Sequence, residues 1–395
     1  MNIIAPPPAA GLATIPPDYR LRLPGPTAVP ERVRAALMLP VLSHRGPEFR
    51  TIVGETAKML RPVFGTQRDI FIYAASGTGV MEAALANVIT PGEPVLIVIH
   101  GQFGERFASI AEGMGAVVDR IAVEWGEAPD PEAVRKQLKQ RNYRAVVCVH
   151  NESATGVVAD IAAIGAVVRE TDAVFVVDSV SGAGGIELQV DAWGVDILVS
   201  ASQKALMCPP GIGYVVVSAK GMAAVEKASG VPRFYFDFRR AQPAAAKDET
   251  SFTAPVSLVL GQHAALTMIH EEGLANVFAR HRRLGEALRA GGVALGLPIF
   301  PTGRPLSATV SVFTVPDGVD GLAIVRHLHT RYHTVIASQR GKLSGKVIRF
   351  GTMGALSAGD IMTDLHYLEC TLRDLGLSPE PGVGCAAAAH VLATA

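Results

Sequence analysis

Short, continuously apolar runs recur along the first half of the chain, at Ile70–Tyr73, Val95–Ile99, Ala145–Val149, Val174–Val177, Ile197–Ser200 and Tyr214–Ser218. A strand with one wet face alternates apolar and polar residues, whereas a strand covered on both faces has no need to. These runs therefore predict interior strands of a covered sheet. Gly79–Val88, Phe103–Gly113 and Pro131–Gln140 lie between them and carry helical patterning. The alternation predicts a mostly parallel sheet with crossover helices. Beyond about Gly261 the texture changes. A long helical stretch including Gly273–Arg289 is followed by alternating strands at Thr309–Thr314 and Lys346–Phe350, then a helix at Ala358–Leu375. This pattern predicts an α/β fold with a large domain over 21–260 and a smaller C-terminal α+β domain over 261–395. A Pro- and Ala-rich arm over 1–20 precedes them, and Cys385–Ala395 forms a terminal helix or a frayed end.

Composition narrows the class. The 395 residues are 49% hydrophobic, too apolar for a disordered chain and ample for a sizeable core. Lysine plus arginine and aspartate plus glutamate are 36 each, so no net charge drives binding to nucleic acid or an anionic membrane. No apolar run approaches the ~18 residues of a spanning helix. Met1–Pro8 lacks the basic-then-apolar order of a signal peptide. Cys148, Cys208, Cys370 and Cys385 are scattered without a CxxC pair, which fits reduced thiols and a cytoplasmic location.

The chemistry concentrates in Phe175–Gly213. Asp178 ends one apolar strand, where the carboxyl end of a parallel sheet opens into a ligand crevice. A carboxylate there is costly unless paired. Lys204 follows the next apolar strand, within Ser200-Ala201-Ser202-Gln203-Lys204. Two neighbouring strands thus present an acid and an amine to one crevice, either as a structural ion pair or as working groups.

Asp178-Ser179-Val180-Ser181 with its glycine cluster, followed by a strand and Ser202-Gln203-Lys204, resembles the fold-type I enzymes that use pyridoxal 5′-phosphate. More specifically it resembles the class V aminotransferases that use glyoxylate. The resemblance covers roughly residues 21 to 390 and implies a mostly parallel seven-stranded sheet. It implies that Lys204 forms the Schiff base and that Asp178 pairs with the protonated pyridine nitrogen, where a nearby anion keeps the electron sink charged. It further implies a phosphate site at Ser76, Gly77 and Thr78, between a strand and a helix, where free N–H groups and the helix dipole suit an anion. Phe103 matches the aromatic residue stacked on the pyridine ring and Val180 the residue on its opposite face. Ser153 matches a hydroxyl near the phenolic oxygen. Gln203 matches a phosphate ligand, as does Thr253, donated by the neighbouring subunit of a homodimer. Thr250 stands where relatives often carry tyrosine. Arg349 matches the arginine that grips the substrate α-carboxylate through two parallel bonds, and Gly25, in Pro24-Gly25-Pro26-Thr27, borders the substrate pocket. Taken from its residues alone, Arg349 also reads as a surface arginine on an edge strand, with Arg45 and Arg340 next in line for the clamp.

Within the family, His44–Phe49, His150–Gly156 and Gly382-Val383-Gly384 resemble serine–glyoxylate aminotransferases, and aspartate or alanine remain open as amino donors. Ile336–Gly341 instead resembles pyridoxamine–pyruvate aminotransferase, which lacks the Ser-Gly-Thr that this chain has. A cysteine desulfurase would carry histidine where Gln203 stands, and a non-catalytic scaffold would keep Lys204, Asp178 and Arg349 unused. The expected partners are a small amino acid and a 2-oxo acid. Gly77-Thr78-Gly79 fails as a dinucleotide fingerprint because Glu82 replaces the third glycine. His329 and His333 are spaced as a metal pair without a third ligand, so no metal is expected and both are read as solvated near a helix C-terminus.

Overall fold

The computed structural model describes residues 15, 16, 18–339 and 341–394. Most of the expected arm, including Met1–Pro8, therefore lies outside the described residues. A seven-stranded sheet forms the centre: β1 (Ile70–Ala75), β2 (Pro94–Ile99), β3 (Val117–Ala122), β4 (Ala145–Val149), β5 (Val174–Asp178), β6 (Ile197–Ala201) and β7 (Gly211–Val217). Their order is β1-β7-β6-β5-β4-β2-β3. Every pairing is parallel except those of β7, which runs antiparallel to both β1 and β6.

Strands β4, β5 and β6 are buried at every position, the burial that their unbroken apolar runs call for. One apolar layer packs Val98, Val146, Val177 and Leu198 against helices including Pro47–Phe64 and Val256–Glu272. The opposite layer packs Ile97, Val147, Val176 and Val199 against helices α1 (Gly77–Val88) and α2 (Gln102–Gly113). Helix α1 starts where it does because Ser76 caps it, its hydroxyl accepting from the Gly79 N–H at 3.2 Å.

A separate core joins Leu284, Leu288, Phe313, Phe350, Leu365 and Leu372. Over it lies a three-stranded antiparallel sheet of β8 (Val310–Thr314), β9 (Ala337–Ser338) and β10 (Val347–Gly351), with β10 in the middle. The long helical stretch expected near Gly273 is two helices, Val256–Glu272 and Leu274–Ala294, parted at Gly273, whose φ of 86° is non-helical. The expected boundary at 260/261 falls inside the first of these, which contributes Val256 through Ile269 to the large core. The tail is a helix, Val383–Thr394. At the other end Arg20–Leu21 pairs with Thr334–Val335. Arg20 and Arg22 ion-pair with Asp364 at 2.9 and 2.6 Å, fastening the start of the described chain to helix Ala358–Asp374.

Candidate active site

The carboxyl ends of β1, β2, β4, β5 and β6 point to one rim of the sheet, the place where open α/β sheets hold ligands. Strand β7 enters from that rim because it runs the other way. A cavity of about 250 Å³ lies there, and its walls come from the residues following each strand. Ser76, Gly77 and Thr78 follow β1; Phe103 and Arg106 follow β2; Asn151 and Ser153 follow β4. Asp178, Val180 and Ser181 come from the end of β5, and Gln203 and Lys204 from the loop after β6, while Gly25 and Pro26 close the cavity from the N-terminal segment. All the expected positions except Thr253 and Arg349 are thus brought together, and strand register explains part of it. Asp178 stands opposite Val149 on one side and Val199 on the other, so the acid reaches the rim level with two strand ends.

Burial shifts both central groups toward their neutral forms without making those forms dominant near neutral pH. Asp178 is 3% exposed; one carboxylate oxygen accepts the Val180 N–H at 2.7 Å and the other is left to the cavity. Burial raises its pKa to about 6, against the opposing pull of that N–H, Lys204 and Arg106. Lys204 is 8% exposed, and its amine donates to the Pro24 carbonyl at 2.5 Å. Burial and the Arg349 charge lower it to about 8, against Asp178 and Glu152. Gly25 is required beside it. A Cβ there would lie 2.4 Å from the lysine Nζ, and its φ of 123° is hostile to other residues.

One end of the cavity is rich in donors. The start of α1, with Ser76, Gly77 and Thr78, forms this end, and Gln203 Oε1 is buried without a partner among the described residues. Gly77 leaves room there, since a Cβ on it would come within 3.2 Å of Val180. Phe103 and Val180 supply the apolar walls. Arg106 was not singled out from the sequence. Its guanidinium lies 4.7 Å from the Phe103 ring centroid and donates to the Thr78 hydroxyl at 2.8 Å. Its position three residues after Phe103 on a helix was the available signal.

Arg349 lies on the middle strand of its sheet, between Val312 and Ala337, which corrects the edge-strand alternative. It donates to the Ser153 carbonyl at 2.8 Å and the Ser338 carbonyl at 3.0 Å, and its Nε is buried without a partner among the described residues. Burial lowers its pKa to about 10, against the Glu152 charge. It lines not the first cavity but an adjoining one of about 400 Å³ with Gln102, Ile336, Ala337 and Ser338, Arg106 forming a wall of both. Among the described residues, no acid lines that second cavity. Glu152, also passed over in the sequence, is fully buried beneath the site, and burial pushes it up to about 7 despite backbone donors from Ala154, Phe103 and Gly104. An acid inside the otherwise uncharged run from Ala145 to Ala159 was its signal.

The remaining expectations sort simply. Thr253 is exposed and lines neither cavity. Arg45 is engaged by Glu249 and by the Thr250 and Ser251 carbonyls. Arg340 lies outside the described residues. His333 ends helix Gly321–Tyr332 and meets Asp18 at 2.6 Å, and no metal-holding group of three or more ligands occurs among the described residues.

The model of the family described as aminotransferase class-V matches residues 34–337. An L-aspartate–glyoxylate aminotransferase of Paracoccus denitrificans is 36% identical, covering 93% of this chain and 94% of its own length. A serine–glyoxylate aminotransferase of Methylorubrum extorquens is 35% identical, over 94% and 95%. The crystal structure of ureidoglycine–glyoxylate aminotransferase from Bacillus subtilis superposes with a TM-score of 0.91 at 32% identity, over 95% of this chain and 98% of that one. With a sheet rim, a buried amine and a buried acid arranged as described, and with matches of this extent, the chain belongs to the class V aminotransferases, pyridoxal-phosphate-dependent transaminases of fold type I.

Proposed function

We propose that this chain moves an amino group from a small L-amino acid, serine first, to glyoxylate, giving glycine and hydroxypyruvate in a ping-pong cycle. The residues around the first cavity fit the cofactor. The donor-rich end at Ser76, Gly77, Thr78 and the orphaned Gln203 side chain suits a phosphate, and Phe103 and Val180 offer two apolar walls for a flat ring. Asp178 keeps one oxygen available to a ring N–H. When bound, pyridoxal phosphate supplies an aldehyde and a protonatable ring that withdraws electrons from the substrate α-carbon.

Lys204 attaches the cofactor in this reading, because its buried amine is easily neutral and a neutral amine is the nucleophile. The same amine, when not holding the cofactor, would be placed to take the α-proton of the donor and to return one to the acceptor carbon. Asp178 would hold the proton of the cofactor ring. Ser153, lining the cavity between Asn151 and the Arg349 anchor, offers its hydroxyl to the ring oxygen.

The observation that carries the acceptor assignment is Arg349, a guanidinium fixed by two carbonyls, with spare donors, on a cavity without acids among the described residues. Glyoxylate has little but its carboxylate to grip. The presence of the donor-rich end favours a phosphorylated cofactor over the pyridoxamine–pyruvate alternative. A panel of amino donors against glyoxylate and pyruvate, read by bleaching of the bound-cofactor absorbance, tests the reading. Preference for aspartate or alanine over serine by about tenfold, ~1.4 kcal/mol, would reassign the donor.

Asp178→Asn should retain fold and cofactor but slow α-proton removal severely, since an amide cannot hold a pyridinium. A stopped-flow half-reaction within about tenfold of wild type, ~1.4 kcal/mol of barrier, would remove Asp178 from that role.

The active unit is proposed to be at least a homodimer, with Thr253 reaching the partner's phosphate site. Thr253 adjoins an exposed aromatic group in which Tyr235 stacks on Phe252 at 5.1 Å and Phe234 is 63% exposed. Light scattering at assay concentration should give at least twice the chain mass, and an active monomer would refute the assembly.

A further inference from the structure

Glu152 is a fully buried acid whose carboxylate, among the described residues, is held by backbone donors alone. One of its oxygens accepts the Phe103 N–H at 2.9 Å and the Gly104 N–H at 3.4 Å; the other accepts the Ala154 N–H at 3.0 Å. Phe103 and Gly104 lie in the first turn of α2, whose own N-cap, Gly101, has no side chain to offer. The carboxylate thus caps that helix from another element.

Gly101 makes the approach possible. A Cβ there would sit 2.2 Å from Glu152 Cγ and 2.5 Å from Cδ. Its φ of 170° is ordinary extended backbone, so the glycine is needed for space and not for conformation. The mount of Glu152 is rigid as well. Its backbone pairs with Val157 in a two-stranded ladder, and its carbonyl accepts the Gly156 N–H at 2.8 Å. The next residue, Ser153, lines the cofactor cavity and gives its carbonyl to Arg349.

We infer that Glu152 is a positioning residue that ties the Phe103 wall of the cofactor cavity to the seat of Arg349, so that ring and carboxylate clamp keep one fixed relation. This rests on the aminotransfer reading for its benefit to turnover, but the contact itself is independent of which substrates are used. A helix cap alone would hold α2 and leave the clamp indifferent; the proposal requires both ends to respond together.

Two substitutions reach the device separately. Glu152→Gln keeps the length but turns one oxygen into a donor facing a backbone N–H. Gly101→Ala leaves the carboxylate intact and displaces it. In cofactor-free protein, each should speed amide hydrogen exchange at Phe103 and Gly104 by roughly tenfold, the loss of one good bond. In loaded enzyme, each should alter the visible circular dichroism of the bound cofactor and raise KM for donor and for glyoxylate alike. Should Glu152→Gln fail to fold, Gly101→Ala decides.

Faster exchange with unchanged dichroism and unchanged KM for both substrates would reduce Glu152 to a cap and overturn the proposal. Unchanged exchange at both amides would overturn it outright. If serine and glyoxylate prove not to be substrates, exchange and dichroism still decide between tie and cap, so failure of the functional reading and failure of this inference remain distinct.

Discussion

Lys204→Ala is expected to abolish turnover and the covalent hold on the cofactor while leaving the chain folded. Under the proposed mechanism the substitution removes two things at once, the amine that attaches the cofactor and the base that moves the α-proton. Proton transfer by a placed side chain alone is worth ~10²–10⁴-fold, so the combined loss should exceed about 10⁴-fold. The fold should tolerate it because the amine's only hydrogen bond among the described residues is to the Pro24 carbonyl, beside the cavity wall. Borohydride reduction followed by peptide mapping should label Lys204 in wild type, and a label on any other lysine would end the assignment. The pH dependence follows from the lowered pKa. Protonated amine does not attack an aldehyde, so recombination of cofactor-free enzyme with pyridoxal phosphate should be slow below about 8 and rise through it. An exposed lysine would place that rise two or more units higher, near ~10.4.

Arg349→Ala should weaken donor and acceptor together. In the proposed ping-pong cycle both halves would present an α-carboxylate to one cavity, and the guanidinium is the cation there that the Ser153 and Ser338 carbonyls hold in place. Losing one partner of a desolvated charge pair costs ~2–5 kcal/mol, or roughly 30- to 4,000-fold in kcat/KM for each substrate. Arg349→Lys should recover only part of it, since a lysine ammonium cannot make two parallel bonds. Steady-state kinetics with serine and glyoxylate varied in turn provide the check. A variant impaired with serine but normal with glyoxylate would move the clamp elsewhere. Arg106, which walls both cavities, would then be the first residue to test, ahead of Arg45 with its existing partners.

Much of this was legible in the sequence, for a physical reason. Strands β2, β4, β5 and β6 are covered on both faces, so their apolar runs stand out and the residues just past them, Asp178 and Lys204 above all, could be placed on one rim. Strand β3 left no such trace. It is one of the two sheet edges, carries Asp119 and Arg120, and is buried at none of its positions. The direction of β7 was equally invisible to periodicity, which is the same read either way. Its reversed course was hinted at only by spacing, because residues 202–210 are too few for a parallel crossover. Ser76, Phe103, Val180 and Gln203 came through resemblance, and the cavity gathers them. Arg106 and Glu152 escaped because each acts through a neighbour: one leans on a ring and a hydroxyl, the other holds three backbone groups, and the spacing and the lone charge that mark them along the chain do not by themselves point to a site.

The reversed strand has a mechanical consequence for the residue that precedes it. A parallel neighbour would have required a crossover helix after β6, and the chain would have left the rim on a long excursion. Instead it turns back at once, and residues 202–210 are clamped between two strand ends already paired to each other at Gly213 and Ala201. The Ser202 hydroxyl cross-braces the turn by donating to the Pro209 carbonyl at 2.7 Å. The backbone under Lys204 is therefore a short bridge braced at both piers, and travel of the amine is expected to come chiefly from rotation about its own side-chain bonds. The lysine side chain is a flexible arm on a braced base.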